Sequence, residues 1–224
     1  MRSNNLPVTL VTIISAKMLL FCIMDPKQHW ENVYTTKQPA EVSWTQEVPQ
    51  VSLDFIHSFK LPKTAGIIDI GGGDSTLVDH LLKDGYENIT VLDISEVALE
   101  KAKKRLGANA AKVTWIVSDI TQFKTAERFD VWHDRATFHF LTSSRQVNQY
   151  LEIAAKAVKG FLAIGTFSVL GPDKCSGLPV RQYSEAKLSL ALQEYFIKIR
   201  CITEDHSTPF NTTQNFLFCS FKRQ

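Results

Sequence analysis

The sequence predicts an α/β protein with helices on both faces of a doubly wound, mostly parallel β-sheet. From residue 64 onward, short apolar runs alternate with amphipathic segments, which is typical of successive βα units around a parallel sheet. The 224 residues are 44% hydrophobic and 21% charged, so the chain can bury the core of one such domain. Length and composition exclude a disordered chain and a small disulfide-stabilised protein.

Five apolar runs predict the parallel strands. Ser75 and Ser95 suit the N-caps of the helices after the first two strands, and Gly85 and Gly107 end those helices. A further helix is predicted over residues 144–158. The five strands are predicted over residues 66–70, 89–93, 112–118, 129–133 and 161–167.

The C-terminal part departs from the βα alternation. A loop rich in Gly and Pro, GPDKCSGLP, precedes a helix capped by Ser184. Two β-rich runs follow at 196–203 and 215–221, close enough in sequence to pair antiparallel. Residues 27–61 are predicted to form short helices and loops that cover the sheet.

Charge and cysteine spacing exclude several classes of partner. The chain has 25 basic and 23 acidic residues, a net charge of +2, so no basic field attracts nucleic acid. Its four cysteines lie far apart, without a CxxC pair or a suitably placed histidine, which predicts free thiols in a reducing compartment and no metal site.

The first 23 residues form a doubtful apolar leader. Lys17 interrupts the apolar stretch, which makes a poor membrane span, and no small residues mark a signal cleavage site. Met24 begins a polar segment typical of a cytosolic enzyme, so we expect residues 24–224 to form the single functional domain. Arg2 and Lys17 account for the whole basic excess.

Acidic residues cluster where the predicted strands end. Asp69 precedes the glycine turn at 71–73, Asp93 ends the second strand, and Asp119 and Asp134 follow the third and fourth. Ligands of open α/β sheets bind at the carboxyl ends of the strands. One such acid is usually a helix cap or a turn residue, but four in successive units indicate a binding site.

The charge pattern favours a cationic nucleoside over a dinucleotide. A glycine turn followed by an acid about 20 residues later is typical of ribose binding in both cases. The dinucleotide pattern GxGxxG requires glycine at position 76, where the chain has Thr76, and Asp69 and Asp74 would repel a pyrophosphate. S-adenosylmethionine (SAM) carries a sulfonium and an ammonium group and no phosphate, so it fits these acids.

Several motifs in this register resemble class I SAM-dependent methyltransferases. DIGGGDS at 69–75 resembles their DxGxGxG signature, with Ser75 replacing the third glycine, and VLDIS at 91–95 and VSDI at 117–120 are similar to their ribose and adenine motifs. From Lys27 to the C-terminus the chain resembles a bacterial group of such enzymes whose substrates are unassigned. The resemblance implies a Rossmann-like, seven-stranded sheet whose last strand is antiparallel.

The resemblance also implies roles for individual residues. Asp69 would hold the methionine ammonium, Asp93 the two ribose hydroxyls, and Asp119 the adenine amino group. The backbone of Gly71, Gly72 and Gly73 would line the methionine moiety, and Ser75 would cap the first helix. Ile94 would pack against adenine, and Ile120 would donate its backbone N–H to it.

The segment after the fourth strand supplies the candidate catalytic residues. Asp134 could orient an amine or hydroxyl, Arg135 could bind a substrate carboxylate, and His139 could act as general base. A pairing of Asp134 with Arg135 and a packed His139 are the structural alternatives.

Aromatic residues and the loop near the C-terminus offer further contacts. Trp30, Tyr34 and Trp44 could form an aromatic lid over the cofactor or could pack in the core. Arg181 and Tyr183 could recognise substrate or brace their loop.

The predicted function is therefore methyl transfer from SAM to a small molecule or a protein side chain. We expect no nucleic-acid partner and, unless the leader is a real membrane anchor, no membrane association. The sequence leaves the acceptor and the oligomeric state open. Two alternatives are an NAD(P)-dependent oxidoreductase, which Thr76 and the flanking acids disfavour, and a SAM-binding module without catalysis.

Overall fold

A seven-stranded sheet organises the 200 residues, 25–224, that the computed structural model describes. The sheet strands are β1 (Gly66–Ile70), β2 (Asn88–Asp93), β3 (Val113–Val117), β4 (Phe129–Arg135), β5 (Val158–Phe167), β8 (Phe196–Ser207) and β9 (Thr213–Arg223), and a separate hairpin pairs β6 (Lys174–Cys175) with β7 (Leu178–Pro179). The helices are α1 (Pro26–Thr36), α2 (Gln50–Ser58), α3 (Leu77–Lys83), α4 (Glu96–Leu106), α5 (Ser144–Ala157) and α6 (Glu185–Leu192).

The strand order is β3-β2-β1-β4-β5-β9-β8. Strands β1 to β5 pair in parallel, and β9 pairs antiparallel with both of its neighbours. The predicted seven-stranded sheet with an antiparallel last strand is therefore confirmed. The chain order reverses between β1 and β4, and a ligand site is expected at the carboxyl ends of these two strands.

The central strands are buried on both faces of the sheet, as their continuous apolar runs predict, whereas the edge strand β8 is largely exposed. Strand β1 shows the alternation directly: Ile68 and Ile70 pack in one cluster with Trp132 and Tyr150, and Ile67 packs in the other with Leu81. Each of these residues is fully buried. Helices on both faces therefore fix β1 and the turn that follows it.

Several predicted boundaries need correction. Strand β4 continues through Asp134 and Arg135, because its ladder with β5 extends to the pair Arg135 and Gly165. Helix α3 begins at Leu77 with Thr76 as its N-cap, while the hydroxyl of Ser75 accepts a hydrogen bond from the Leu77 N–H. The predicted Gly/Pro-rich loop contains the β6–β7 hairpin, and β8 and β9 are longer than predicted.

The prediction of free thiols is wrong for one pair. Cys201 on β8 and Cys219 on β9 form a disulfide. The two residues stand directly opposite each other in the antiparallel register, a juxtaposition that their separation in sequence does not reveal. Cys175 is a free, buried thiol.

The predicted leader at 1–23 lies outside the described residues. Within 25–224, no helix has the length and apolar character needed to cross a lipid bilayer.

Candidate functional site

A cavity of about 420 Å³ opens at the carboxyl ends of β1 to β4. It brings together residues that are far apart in sequence and were predicted from the strand ends. Eight of the nine predicted cofactor-binding residues line it: Asp69, Gly71, Gly72, Ser75, Asp93, Ile94, Asp119 and Ile120. Gly73, the ninth, lies in the same turn, where a Cβ atom would collide with the Tyr34 hydroxyl.

The turn after β1 requires glycine for steric reasons. Gly71 has a φ of +63°, a backbone angle that residues other than glycine rarely adopt. A Cβ atom on Gly72 would lie 2.7 Å from both Asp69 Oδ2 and Val91 Cγ1. Glycine here lets the Asp69 carboxylate lie directly against the turn at the cavity wall.

Asp93 is a buried acid at the end of β2. It is 5% exposed, and its Oδ1 accepts a hydrogen bond from the Ser95 N–H at 2.8 Å. Burial raises the pKa of Asp93 to about 7, although N–H donors from Ser95 and Gly73 oppose the shift, and the charges of Asp69 and Asp74 add to it. A ligand that donates hydrogen bonds or carries positive charge would favour the ionised form.

Asp119 follows β3, where it both caps a turn and lines the cavity. Its Oδ1 accepts hydrogen bonds from the N–H and the hydroxyl of Thr121, each at 2.8 Å, and so caps the short 3₁₀ turn Ile120–Gln122. The residue also lines the cavity.

Asp69 is paired with a histidine that sequence reasoning missed. Its Oδ1 lies 2.7 Å from His133 Nδ1, and His133 Nε2 lies 2.9 Å from the hydroxyl oxygen of Ser52. All three residues are buried and line the cavity. His133 could have been found, because it lies two residues before Arg135 and therefore on the same face of β4. Ser52 had no such signal, since only tertiary packing brings α2 to this position.

Asp134 and His139 do not lie among the cavity-lining residues. Asp134 is fully buried, and its carboxylate accepts hydrogen bonds from the N–H groups of Thr137 and Phe138 and from the hydroxyl of Tyr150. It therefore holds the turn after β4. The predicted pairing of Asp134 with Arg135 does not form.

His139 is packed inside the domain. Its ring stacks on Phe167 at 4.4 Å, and Nδ1 accepts a hydrogen bond from the Phe167 N–H. Burial, reinforced by the charge of Arg135, lowers the pKa of His139 to about 3. A histidine with such a pKa is a weak base at neutral pH, so its burial argues against the predicted role of general base.

Arg135 is the one predicted catalytic residue that lines the cavity. Its Nη1 donates to the Trp44 carbonyl at 2.9 Å, and the guanidinium lies 4.9 Å from the centre of the Phe216 ring. Burial lowers the pKa of Arg135 to about 10, which leaves the side chain cationic at neutral pH. No carboxylate of residues 25–224 forms an ion pair with it.

Four aromatic side chains form one wall of the cavity, which we call the aromatic wall. Trp30, Tyr34, Trp44 and Phe140 all line it, and their ring centres lie 5.1 to 6.2 Å apart. The predicted lid residues thus face the site and also pack against one another. By contrast, Arg181 and Tyr183 are not among the lining residues; the guanidinium of Arg181 lies 5.4 Å above the buried Tyr183 ring and braces its loop.

Helix α1 carries Trp30 and Tyr34 and is fixed by one glutamate. The Glu31 carboxylate accepts hydrogen bonds from the Ser95 hydroxyl and from the N–H groups of Glu96 and Val97, at 2.9 to 3.1 Å. It therefore caps the N-terminus of α4 from a different helix, where an anion also complements the helix dipole.

Similar proteins place this arrangement in a family. Residues 67–160 match the family described as "Methyltransferase domain". Over 82 residues the chain is 39% identical to malonyl-[acyl-carrier protein] O-methyltransferase of Anoxybacillus flavithermus, an alignment that covers 36% of this chain and 30% of that protein. It is 27% identical over 121 residues to eEF1A lysine and N-terminal methyltransferase of Mus musculus, covering 53% of this chain and 17% of that protein. The chain thus spans less than a third of the length of either curated relative.

The fold is also similar to that of a methyltransferase of known structure. The crystal structure of N-methyltransferase NodS from Bradyrhizobium japonicum, in complex with S-adenosyl-L-homocysteine (SAH), matches with a TM-score of 0.68 at 17% identity, over 89% of this chain and 99% of that one. Residues 67–160 therefore match the methyltransferase domain, and the described chain has the fold seen in SAM-dependent methyltransferases.

Proposed function

We propose that the protein binds SAM and transfers its methyl group to an acceptor. The observation that supports this most is that acids from the ends of three successive strands, Asp69, Asp93 and Asp119, line one cavity. SAM would supply a methyl group activated by the sulfonium. The cavity residues fit it, because buried carboxylates would accept hydrogen bonds from its ammonium, ribose and adenine groups and complement its positive charge.

The remaining cofactor contacts follow from the same positions. Gly71, Gly72 and Gly73 would present backbone to the methionine moiety, Ser75 would close the turn, and Ile94 and Ile120 would lie against adenine. The aromatic wall would exclude water and attract the sulfonium through cation–π contacts. Methyl transfer requires mainly alignment of the acceptor with the methyl group, so few catalytic groups are needed.

Arg135 is the residue we propose to bind the acceptor, through an anionic group such as a carboxylate. Its charge, its position in the cavity and its lack of an ion pair among residues 25–224 support this. Asp134 and His139 would act indirectly, by holding the turn that follows β4.

The acceptor is a small molecule or a protein side chain. According to their names, the curated relatives methylate malonyl-[acyl-carrier protein] or the lysine and N-terminus of eEF1A. We also propose a cytoplasmic location, where the reducing conditions would convert the Cys201–Cys219 disulfide of the structure to two thiols.

Transfer of label from methyl-tritiated SAM tests the proposal. The protein is incubated with metabolite and protein extracts, beside an Asp93→Ala variant and an Asp54→Ala variant that removes an exposed acid on α2. We expect a labelled product with the unmodified protein and with Asp54→Ala, and none with Asp93→Ala. SAM binding without any labelled product would instead favour a non-catalytic SAM-binding module.

A further inference from the structure

We propose that His133 and Ser52 position the Asp69 carboxylate for the ammonium of SAM. The proposal rests on the proposed function and adds two positioning residues to its cofactor site. Both residues also line the cavity, and we expect them to affect the ligand through Asp69.

The three side chains form one hydrogen-bonded line that crosses three elements. Ser52 on α2 lies 2.9 Å from His133 Nε2 on β4, and His133 Nδ1 lies 2.7 Å from Asp69 Oδ1 on β1. The exposed fractions of Ser52, Asp69 and His133 are 2%, 4% and 3%, so water competes little for these bonds. Asp69 and His133 are also direct partners in the β1–β4 ladder, which fixes the distance between their backbones.

The hydrogen-bond inventory indicates which group donates at each step of the line. An ionised carboxylate only accepts hydrogen bonds, so the donor between His133 and Asp69 is His133 Nδ1–H. The Ser52 hydroxyl can donate to His133 Nε2, and with this arrangement every donor in the line is satisfied.

The line also explains how one carboxylate oxygen is kept for the ligand. His133 holds Oδ1, while Oδ2 lies against Gly72 at the cavity wall. A carboxylate without this support would rotate, and its charge-assisted bond to an ammonium would lose the fixed geometry on which its strength depends.

Ligand affinity and steady-state kinetics test the proposal together. Calorimetry would give the Kd for SAH, which lacks the methyl group but keeps the ammonium, and labelled-methyl assays would give KM for SAM and kcat. We expect His133→Gln to raise both Kd and KM roughly tenfold, the loss typical of one hydrogen bond to a charged group, with kcat within about twofold. Ser52→Ala should raise Kd by about threefold, and Ser52→Thr, which keeps the hydroxyl, should restore it.

A second histidine–aspartate pair, at His57, provides the control for the effect on Kd and KM. His57 also lies 2.8 Å from an aspartate, Asp84, but the pair is exposed and outside the cavity, so His57→Gln should change neither constant. An unchanged Kd in Ser52→Ala and in folded His133→Gln would overturn the proposal. A lower kcat with unchanged Kd and KM would also overturn it, because it would assign His133 to proton removal from the acceptor. If the unmodified protein bound no SAH, the proposed function itself would fail.

Discussion

Ionised Asp93 destabilises the folded protein but would favour ligand binding. Burial raises its pKa to about 7, so near neutral pH the folded protein holds a proton there that the unfolded chain has already lost. Bound ribose hydroxyls would instead favour the ionised form, because they would donate hydrogen bonds to the carboxylate. Such a residue lowers stability in exchange for binding, as functional sites often do.

Replacing this carboxylate by an amide should therefore stabilise the free protein at alkaline pH. Because the folded pKa of Asp93 is raised from 3.8 to about 7, its contribution to stability falls as pH rises between these values. We expect Asp93→Asn to raise the free energy of unfolding by on the order of 2 kcal/mol at pH 8 and by much less at pH 4.5. Urea denaturation at both pH values measures this, and an equal change at both would contradict it.

At the level of elements, helix α1 is attached to the cofactor side of the sheet through Glu31. Three donors around the start of α4 bond to this carboxylate, and Trp30 on the same helix lines the cavity. We expect Glu31→Ala to cost about 1 kcal/mol of helix-capping free energy and to loosen α1. Hydrogen exchange of residues 26–36 should become faster, and SAH affinity should fall several-fold.

The control for α1 is a polar residue on the same helix whose side chain makes no such contacts to α4. Gln28 is exposed, and the three hydrogen bonds that join α1 to the start of α4 all end on Glu31. Gln28→Ala should therefore leave both exchange and affinity unchanged, and a matching effect of the two variants would refute the attachment through Glu31.

The Cys201–Cys219 disulfide links the edge strand β8 to β9, and neither cysteine is among the cavity-lining residues. We expect its reduction to lower the free energy of unfolding by up to about 3 kcal/mol, the value typical of a loop of this size, and to leave the Kd for SAH unchanged. Denaturation and calorimetry with and without dithiothreitol check both statements. A weaker SAH affinity after reduction would show that the strand pair communicates with the cavity.

For the whole molecule, the sheet and the cofactor side of the cavity could be predicted from sequence. Asp69, Asp93 and Asp119 follow apolar runs, and in a parallel sheet the ends of such runs meet at one edge. The contacts made by helices α1 and α2 could not be predicted in the same way. The line from Ser52 through His133 and the cap provided by Glu31 depend on how α1 and α2 pack, which no local pattern determines. His139 illustrates the converse: its residue type suggests a base, but its burial removes it from the cavity.

Calorimetric titration with SAH is the sharpest test of the proposed SAM site. We expect one site per chain with micromolar affinity, abolished by Asp93→Ala, weakened by Asp69→Ala and unaffected by Asp54→Ala. NADH, titrated in parallel, should not bind, because Asp69 and Asp74 would repel its pyrophosphate. If the folded, unmodified protein bound no SAH, or bound NADH in its place, the proposed site would be refuted.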